Sequence, residues 1–353
     1  MLQAFSDWFW NYKFWLPQGF TWDDLKSSNG ITRPQLSDLY IVPALTVALL
    51  VIRYFFERYI ALRFCRCIGI SEASNLPEPN NLCENTYLCV TRNPDQAKIK
   101  EISASTGWTQ QRVSRWFRKR RSAKKNTLLR KATETCWRFF IYLGFFVYGC
   151  YVLLRTDWFY DTRKWMEGYI TSQSLTVEIK WYYFIELAFY LSLLIQHFYD
   201  TKRKDFWQQF VHHICTIILI TGSYVIAHFR FGTVIMLLHD ASDYWLESAK
   251  LANYAKTQRL CDVLFVIFAI TFYLSRWVYF PVWVLRTFIM DNAKICGPLQ
   301  SYFTFPYIFL YFCFILMILH LYWGYLIGRM VYKFTVAGKV EKDDRSGDSD
   351  GSD

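Results

Sequence analysis

Apolar runs separated by charged connectors make up most of this chain. Residues 36–56 are apolar apart from a few polar positions. Further runs cover 137–154, 181–198, 206–227, 231–248, 260–285 and 303–327. Each comes close to the ~20 residues that a helix needs to cross a hydrocarbon core of ~30 Å. The pattern predicts an all-α polytopic membrane protein with about seven transmembrane helices. The long connector after the first run carries a helical pattern over 94–131. Pro94-Asp95-Gln96 opens one short helix that packs Ile99 and Ile102. Gly107-Trp108-Thr109 turns the chain, and Thr109 caps a second helix carrying Val113, Trp116 and Phe117. Residues 71–93, rich in Asn, Pro and Glu, do not read as a convincing helix. The tail 341–353 is acidic, rich in Gly and Ser and without apolar residues, so it reads as disordered and cytosolic.

Charge orients the spans. One set of connectors holds the basic region 57–136, Lys202-Arg203-Lys204, Lys250, Lys256, Arg259, Arg329 and Lys333. In the opposite set, Arg155, Arg163, Lys164 and Lys180 face Asp157, Asp161, Glu167 and Glu178. Positive connectors stay on the cytosolic side, so the N-terminus is lumenal and the tail cytosolic. The chain divides into a lumenal interfacial segment 1–35, a first span 36–60, a cytosolic linker 61–93, the two-helix segment 94–132, a helical bundle 133–340 and the tail.

Composition refines this only slightly. The 353 residues are 53% hydrophobic and 20% aromatic, with formal charge +11. Mean hydropathy is +0.09, low for such a protein, because apolar runs alternate with basic connectors. Trp8, Trp10, Trp15 and Trp22 mingle with Asp7, Asn11 and Lys13, which suits the headgroup level better than a cleaved leader. Ten cysteines are scattered, and Cys65-Arg66-Cys67 lacks the second pair or histidine of a zinc site. No Asn-x-Ser/Thr sequon occurs.

The chemistry concentrates in two runs. Five of the six histidines lie between His197 and His239. His212-His213 sit in one span, and His239-Asp240-Ala241-Ser242-Asp243 in the next. Ionisable groups are costly in hydrocarbon and mark functional sites there. The pair lies roughly 9–11 Å below the cytosolic boundary at 1.5 Å per residue. Asp243 comes to roughly 12 Å from the same side, entering from the lumen. Two antiparallel helices thus bring both clusters to one depth. The adjacent histidines point about 100° apart, so only one can face a reaction centre squarely. Asp240 and Asp243 share a helix face, with His239 beside it. A carboxylate that orients an imidazole makes it a base or nucleophile. Histidine-rich iron sites use His-x-x-x-His and His-x-x-His-His spacings, both absent here. A zinc site through His213, His239 and Asp240 has no supporting spacing, so no metal and no cofactor is expected.

Two resemblances follow. Trp116-Phe117 before Arg118-Lys119-Arg120-Arg121 resembles the end of a homeodomain. Lys119 stands where homeodomains carry the adenine-reading Asn, so the basic helix suits a membrane surface better than sequence-specific DNA. More extensively, Lys202-Arg203-Lys204-Asp205-Phe206-Trp207, Phe210-Val211-His212-His213, Leu238-His239-Asp240-Ala241-Ser242-Asp243 and Ala249-Lys250-Leu251-Ala252-Asn253-Tyr254 resemble the longevity-assurance motif of ceramide synthases. The likeness covers the TLC domain over 133–340, the homeodomain-like insert and the tail. It implies a TLC-type bundle in the endoplasmic reticulum membrane. It implies transfer of a fatty acyl group from acyl-CoA to a sphingoid base, giving ceramide or dihydroceramide. Catalysis then falls to His212, His213, Asp240 and Asp243, through either an acyl-imidazole on His212, supported by Asp243, or general-base activation of the amine. Lys202, Arg203, Lys204, His239, Lys250 and Asn253 are expected to bind substrate, the cations near the coenzyme A head. The loop 286–301, with Asp291, Asn292 and Cys296, is tied to acyl-chain length. The family also pairs as homo- or heterodimers. Family members carry a sequon where this chain reads Leu16-Pro17-Gln18-Gly19-Phe20-Thr21-Trp22. Ser346, Ser349 and Ser352, among aspartates, suit an acidophilic kinase. The alternative is a non-catalytic TLC protein that binds lipid or assists translocation, a class that can dispense with the double histidine.

Overall fold

A computed structural model describes residues 2–17, 19–28, 30–70, 78–125, 128–200, 204–296 and 305–337. Among these the chain is helical, with no β-strand beyond one isolated bridge between Ser28 and Ile31. A short helix α1, Leu2–Phe9, precedes a knot of indoles. In it Trp15 Nε1 donates to the Phe9 carbonyl at 2.5 Å and Trp22 Nε1 to that of Trp10 at 2.7 Å. Next comes α2, Leu36–Cys67, helical beyond the limit expected near residue 60. A small unit follows: α3, Asn81–Asn85 with a wider turn Thr86–Val90, then α4, Gln96–Thr106, and α5, Gln110–Lys125. The bundle comprises α6, Leu128–Leu153; α7, Val177–Gln196; α8, Phe206–Val225; and α9, Phe229–Tyr254. It closes with α10, Gln258–Phe272, prolonged through Tyr273–Leu285 and Arg286–Cys296, and α11, Phe305–Ala337.

Among the described residues, four helices are long and apolar enough to cross a membrane: Leu36–Cys67, Leu128–Leu153, Gln258–Asp291 and Tyr307–Val336. The helices α7, α8 and α9 are more polar and more buried, and α9 packs most extensively, against α6 and α10. Ion pairs pin both ends of the bundle. At one end Asp38 bonds Lys180 at 2.7 Å and the Tyr224 hydroxyl at 2.8 Å, joining the starts of α2 and α7 to the end of α8. At the other, Asp200 takes Arg53 at 2.8 Å and Arg138 at 2.6 Å, joining α2 and α6. Between α10 and α11 the contact depends on glycine. A Cβ on Gly324 would come within 2.4 Å of the Trp277 ring, and one on Gly328 within 3.1 Å of the Tyr273 hydroxyl. Tyr273 donates to the Gly324 carbonyl at 2.7 Å, so the two glycines form the small-residue groove that lets apolar helices approach closely.

The small unit corrects the reading of residues 71–93. Asn81–Asn85 and the turn after it are helical, with the Asn80 side chain accepting from the Cys83 amide at 3.0 Å. They supply Cys83 and Tyr87 to a core with Ile99, Ile102, Val113, Trp116 and Phe117. A helix this short has little stability alone, so its signal is weak, and packing holds it. Asp95 and Thr109 start the next two helices as expected, and Gly107 turns between them at φ +68°. Arg120 grips Glu84 at 2.5–3.0 Å and holds its carboxyl below the usual range. Lys119 is exposed.

The segment expected as a loop from residue 286 is also revised. Helix continues without a break through Arg286–Cys296. Pro281 is accommodated because the preceding stretch is wound more widely than an α-helix, which relieves the clash of its ring with the preceding turn.

Candidate active site

The polar start of α8 sets the histidine pair against residues of α6, α9, α10 and α11. His212 and His213 are both 8% exposed, and both line a cavity that Asp200 and Phe206 also line. The 100° between their directions therefore does not remove either ring from that space. Asp243 and Glu247 of α9, Arg138 of α6, Arg276 of α10 and Trp323 of α11 share the wall. His212 and Asp243, on two successive helices, line the same cavity.

Five of the six histidines form a row across the bundle. Ring centroids are 5.7 Å apart from His197 to His213, 5.8 Å from His213 to His212, 6.3 Å from His212 to His239 and 4.9 Å from His239 to His320. His320 was not expected in the site. It lies far along the chain in an apolar run, yet it is 0% exposed. The Ile235 carbonyl, 2.7 Å from His239 Nδ1, can only accept, so Nδ1 carries the proton. Nε2 of the neutral ring then accepts from His320 Nε2–H at 3.0 Å. The Nδ1 atoms of His212 and His213 have no protein partner.

The two aspartates diverge. Asp243 pairs with Arg276 at 2.6 Å, and the same guanidinium donates to the His239 carbonyl at 2.9 Å. Asp240 instead meets the Tyr182 hydroxyl of α7 at 3.4 Å and lines neither cavity. Three residues of helix separate them by about 60°, which at the centre of a bundle is enough to face different neighbours. Asp243 therefore bonds Arg276 directly rather than His212, with which it shares the cavity wall. Arg276 could have been found as a lone charge inside an apolar run.

The expected anion site also changes. Lys250 is buried and bonded to Glu247 at 2.6 Å, away from the cavity wall, because three residues along a helix bring the two side chains together. Asn253, near the end of α9, does not line the cavity either. Lys204 is exposed beside the start of α8, whereas Lys202 and Arg203 lie outside the described residues. Arg138 and Arg276 are the cations on the wall. Asp291 stands on the prolonged α10, as do Asn292 and Cys296 by their backbone, and Asp291 lines neither cavity. Ser346, Ser349 and Ser352 lie outside the described residues. Among the described residues, no group of three His, Cys, Asp or Glu side chains is placed to hold a metal ion.

Beside the histidine row is a second, small apolar space between α8, α9 and α11. His239 and Tyr190 form its near wall, and Tyr190 also touches both His212 and His213, at 6.3 and 6.1 Å between rings.

The profile of the TLC domain matches residues 131–329. Human ceramide synthase 5 is 41% identical over 341 residues, 96% of this chain and 86% of that protein. Human ceramide synthase 4 is 38% identical, over 98% of this chain and 87% of that protein. The Caenorhabditis elegans ceramide synthase hyl-1 is 31% identical, over 96% and 83% respectively. A double histidine in a TLC bundle, with likeness along nearly the whole chain, places this protein in the ceramide synthase family.

Proposed function

We propose that this protein transfers a fatty acyl group from acyl-CoA to the amine of a sphingoid base, forming ceramide or dihydroceramide in the endoplasmic reticulum membrane. The observation that carries the reading is the cavity wall shared by His212, His213, Asp243 and Arg276, with an apolar space directly behind it. The polar cavity suits the coenzyme A end and the apolar space suits the acyl tail. Arg138 and Arg276 take the part expected of Lys250 in facing the anionic head.

His212 acts as nucleophile. Its ring nitrogen attacks the thioester carbon, a C–N bond forms, the C–S bond breaks and coenzyme A leaves as thiolate. The sphingoid amine attacks the acyl-imidazole, the amide bond forms and the imidazole is released. The proton lost by the amine passes through the ring and on to the thiolate. Asp243, fixed by Arg276, places negative charge on the same wall where the imidazolium develops.

Seven helices, α2 and α6 to α11, span the membrane in this reading. The basic connectors put the small homeodomain-like unit and the mouth near Asp200 in the cytosol, and α1 in the lumen. Acyl-CoA then enters from the side where it is soluble. Purified full-length protein, given a sphingoid base and a series of acyl-CoA donors, is expected to release N-acyl product. His212→Ala is expected to release none, and mass spectrometry of wild type without amine to find acyl on His212. Equal product from both proteins would refute the site; product without an acyl-enzyme would leave His212 as a general base.

A further inference from the structure

Asp205 precedes α8 at the position where a carboxylate ordinarily accepts a hydrogen bond from an amide of the first turn. Here the side chain makes no such bond. It is 1% exposed and turns inward instead. Trp323 Nε1 of α11 donates to its Oδ2 at 3.1 Å, and Gln209 Nε2 donates to the same oxygen at 3.4 Å. Oδ1 has no partner among the described residues. Leaving a cap unmade and burying a carboxylate against two uncharged donors both cost stability. Helix stability therefore does not account for the arrangement. What Asp205 does hold is part of the cavity wall. The Trp323 indole meets the His212 ring edge-to-face at 87°, with centroids 5.4 Å apart, and both residues line the cavity. His212 Nδ1 is buried without a partner, and Asp243 is bonded to Arg276. Nε2 is then the nitrogen left to face the cavity, and its direction is set by the rings packed on His212. These are Tyr190, His213, His239 and Trp323, of which Trp323 is the closest.

We propose that Asp205 is a positioning residue: by anchoring the Trp323 indole, it fixes the direction in which His212 Nε2 faces the reacting acyl carbon. The inference rests on the acyltransfer reading and deepens it. Without the anchor the indole turns about its side-chain bonds and the contact with His212 loosens. Nε2 then no longer points along one line. A displacement of about 1 Å at a reacting atom lowers a rate by as much as about 100-fold. Binding of the acyl donor is not affected in the same way, because Asp205 itself lines neither cavity.

The test compares the kinetics of detergent-solubilised full-length variants with acyl-CoA and a sphingoid base. Asp205→Leu keeps the bulk and removes the acceptor. It is expected to lower kcat about ten- to 100-fold and to leave KM for acyl-CoA within about twofold. Trp323→Phe keeps an aromatic ring, removes the donor and is expected to do the same. The two together are expected to be no worse than the poorer single variant, since both remove one bond. Asp205→Asn is expected to keep most of the activity, because both donors meet a single oxygen that an amide carbonyl replaces. A second readout needs no turnover: carbethoxylation of His212 by diethyl pyrocarbonate, measured by tandem mass spectrometry against His213 in the same cavity. The ratio of His212 to His213 modification is expected to fall in Asp205→Leu and to match wild type in Asp205→Asn. Should Asp205→Leu fail to fold, Trp323→Phe carries the same expectation. Additive losses in the double variant, equal losses in Asp205→Asn and Asp205→Leu, or an unchanged ratio in folded Asp205→Leu would each overturn the proposal. A wild type that forms no N-acyl product, with the ratio still falling in Asp205→Leu, would overturn the acyltransfer reading and leave the positioning standing.

Discussion

Asp243 and Arg276 illustrate how single residues in this bundle are interpretable only in pairs. A carboxylate or guanidinium alone among apolar helices is strongly unfavourable, and together they satisfy one another at 2.6 Å. Arg276→Met leaves the half-buried Asp243 with only the Ser242 hydroxyl as partner, at a cost of about 1–3 kcal/mol. The expected result is a fall in thermal midpoint together with loss of acyl transfer. Arg276→Met combined with Asp243→Asn is expected to regain most of the midpoint and none of the activity; recovery of activity would show the pair to be structural only. The histidine pair was legible in the sequence because two titratable rings inside an apolar run are conspicuous. The partners were not. Arg276 and His320 are 33 and 81 residues from the groups they bond, and no local pattern encodes such pairings. Lys250 was misplaced for a related reason. Its positive charge was visible, but the partner that neutralises it, Glu247, depends on rotamers that spacing alone does not select.

At the scale of elements, hydrophobic runs located all the long helices, because apolar length is a property of the segment itself. Their ends were less legible. The helix expected to stop at Leu285 runs on to Cys296, because apolar composition fades before the backbone hydrogen bonding does. The short helix Asn81–Asn85 was missed because its stability lies in the core it shares with Trp116 and Phe117. The seam between α10 and α11 offers a sharp contrast in one helix. Gly324→Ala puts a methyl 2.4 Å from the Trp277 ring, whose Nε1 is held by the His320 carbonyl at 3.0 Å and cannot swing away freely. Overpacking of this kind costs about 1–3 kcal/mol. Gly328→Ala meets only the tip of Tyr273 at 3.1 Å and gains helix propensity. The first is expected to lower the thermal midpoint by several degrees and the second to leave it unchanged or raised. Equal effects from both would mean that the seam does not depend on close approach at Gly324.

For the whole molecule, the decisive quantity is which side of the membrane each end of the bundle faces. The cavity reaches Asp200, which pins one end of the bundle, and Arg53 and Arg138 converge there. The opposite end carries the Asp38–Lys180 pair and the loop containing Tyr160. Because coenzyme A is large, anionic and water-soluble, the proposed function requires the cavity to open where acyl-CoA is made available, and in that proposal the basic connectors put that side in the cytosol. The natural chain has no sequon, which makes glycosylation a clean reporter of sidedness. Tyr160→Asn, at an exposed position, completes an Asn-x-Thr sequon with Thr162. Ala104→Asn, exposed on α4, completes one with Thr106. Expressed in a secretory membrane, the first is expected to acquire a glycan removable by endoglycosidase, seen as a gel shift, and the second to acquire none. The reverse pattern would place the histidine cavity toward the lumen. An acyl-CoA substrate would then have to cross the membrane before reaching His212, and the assignment of donor would fall with the orientation.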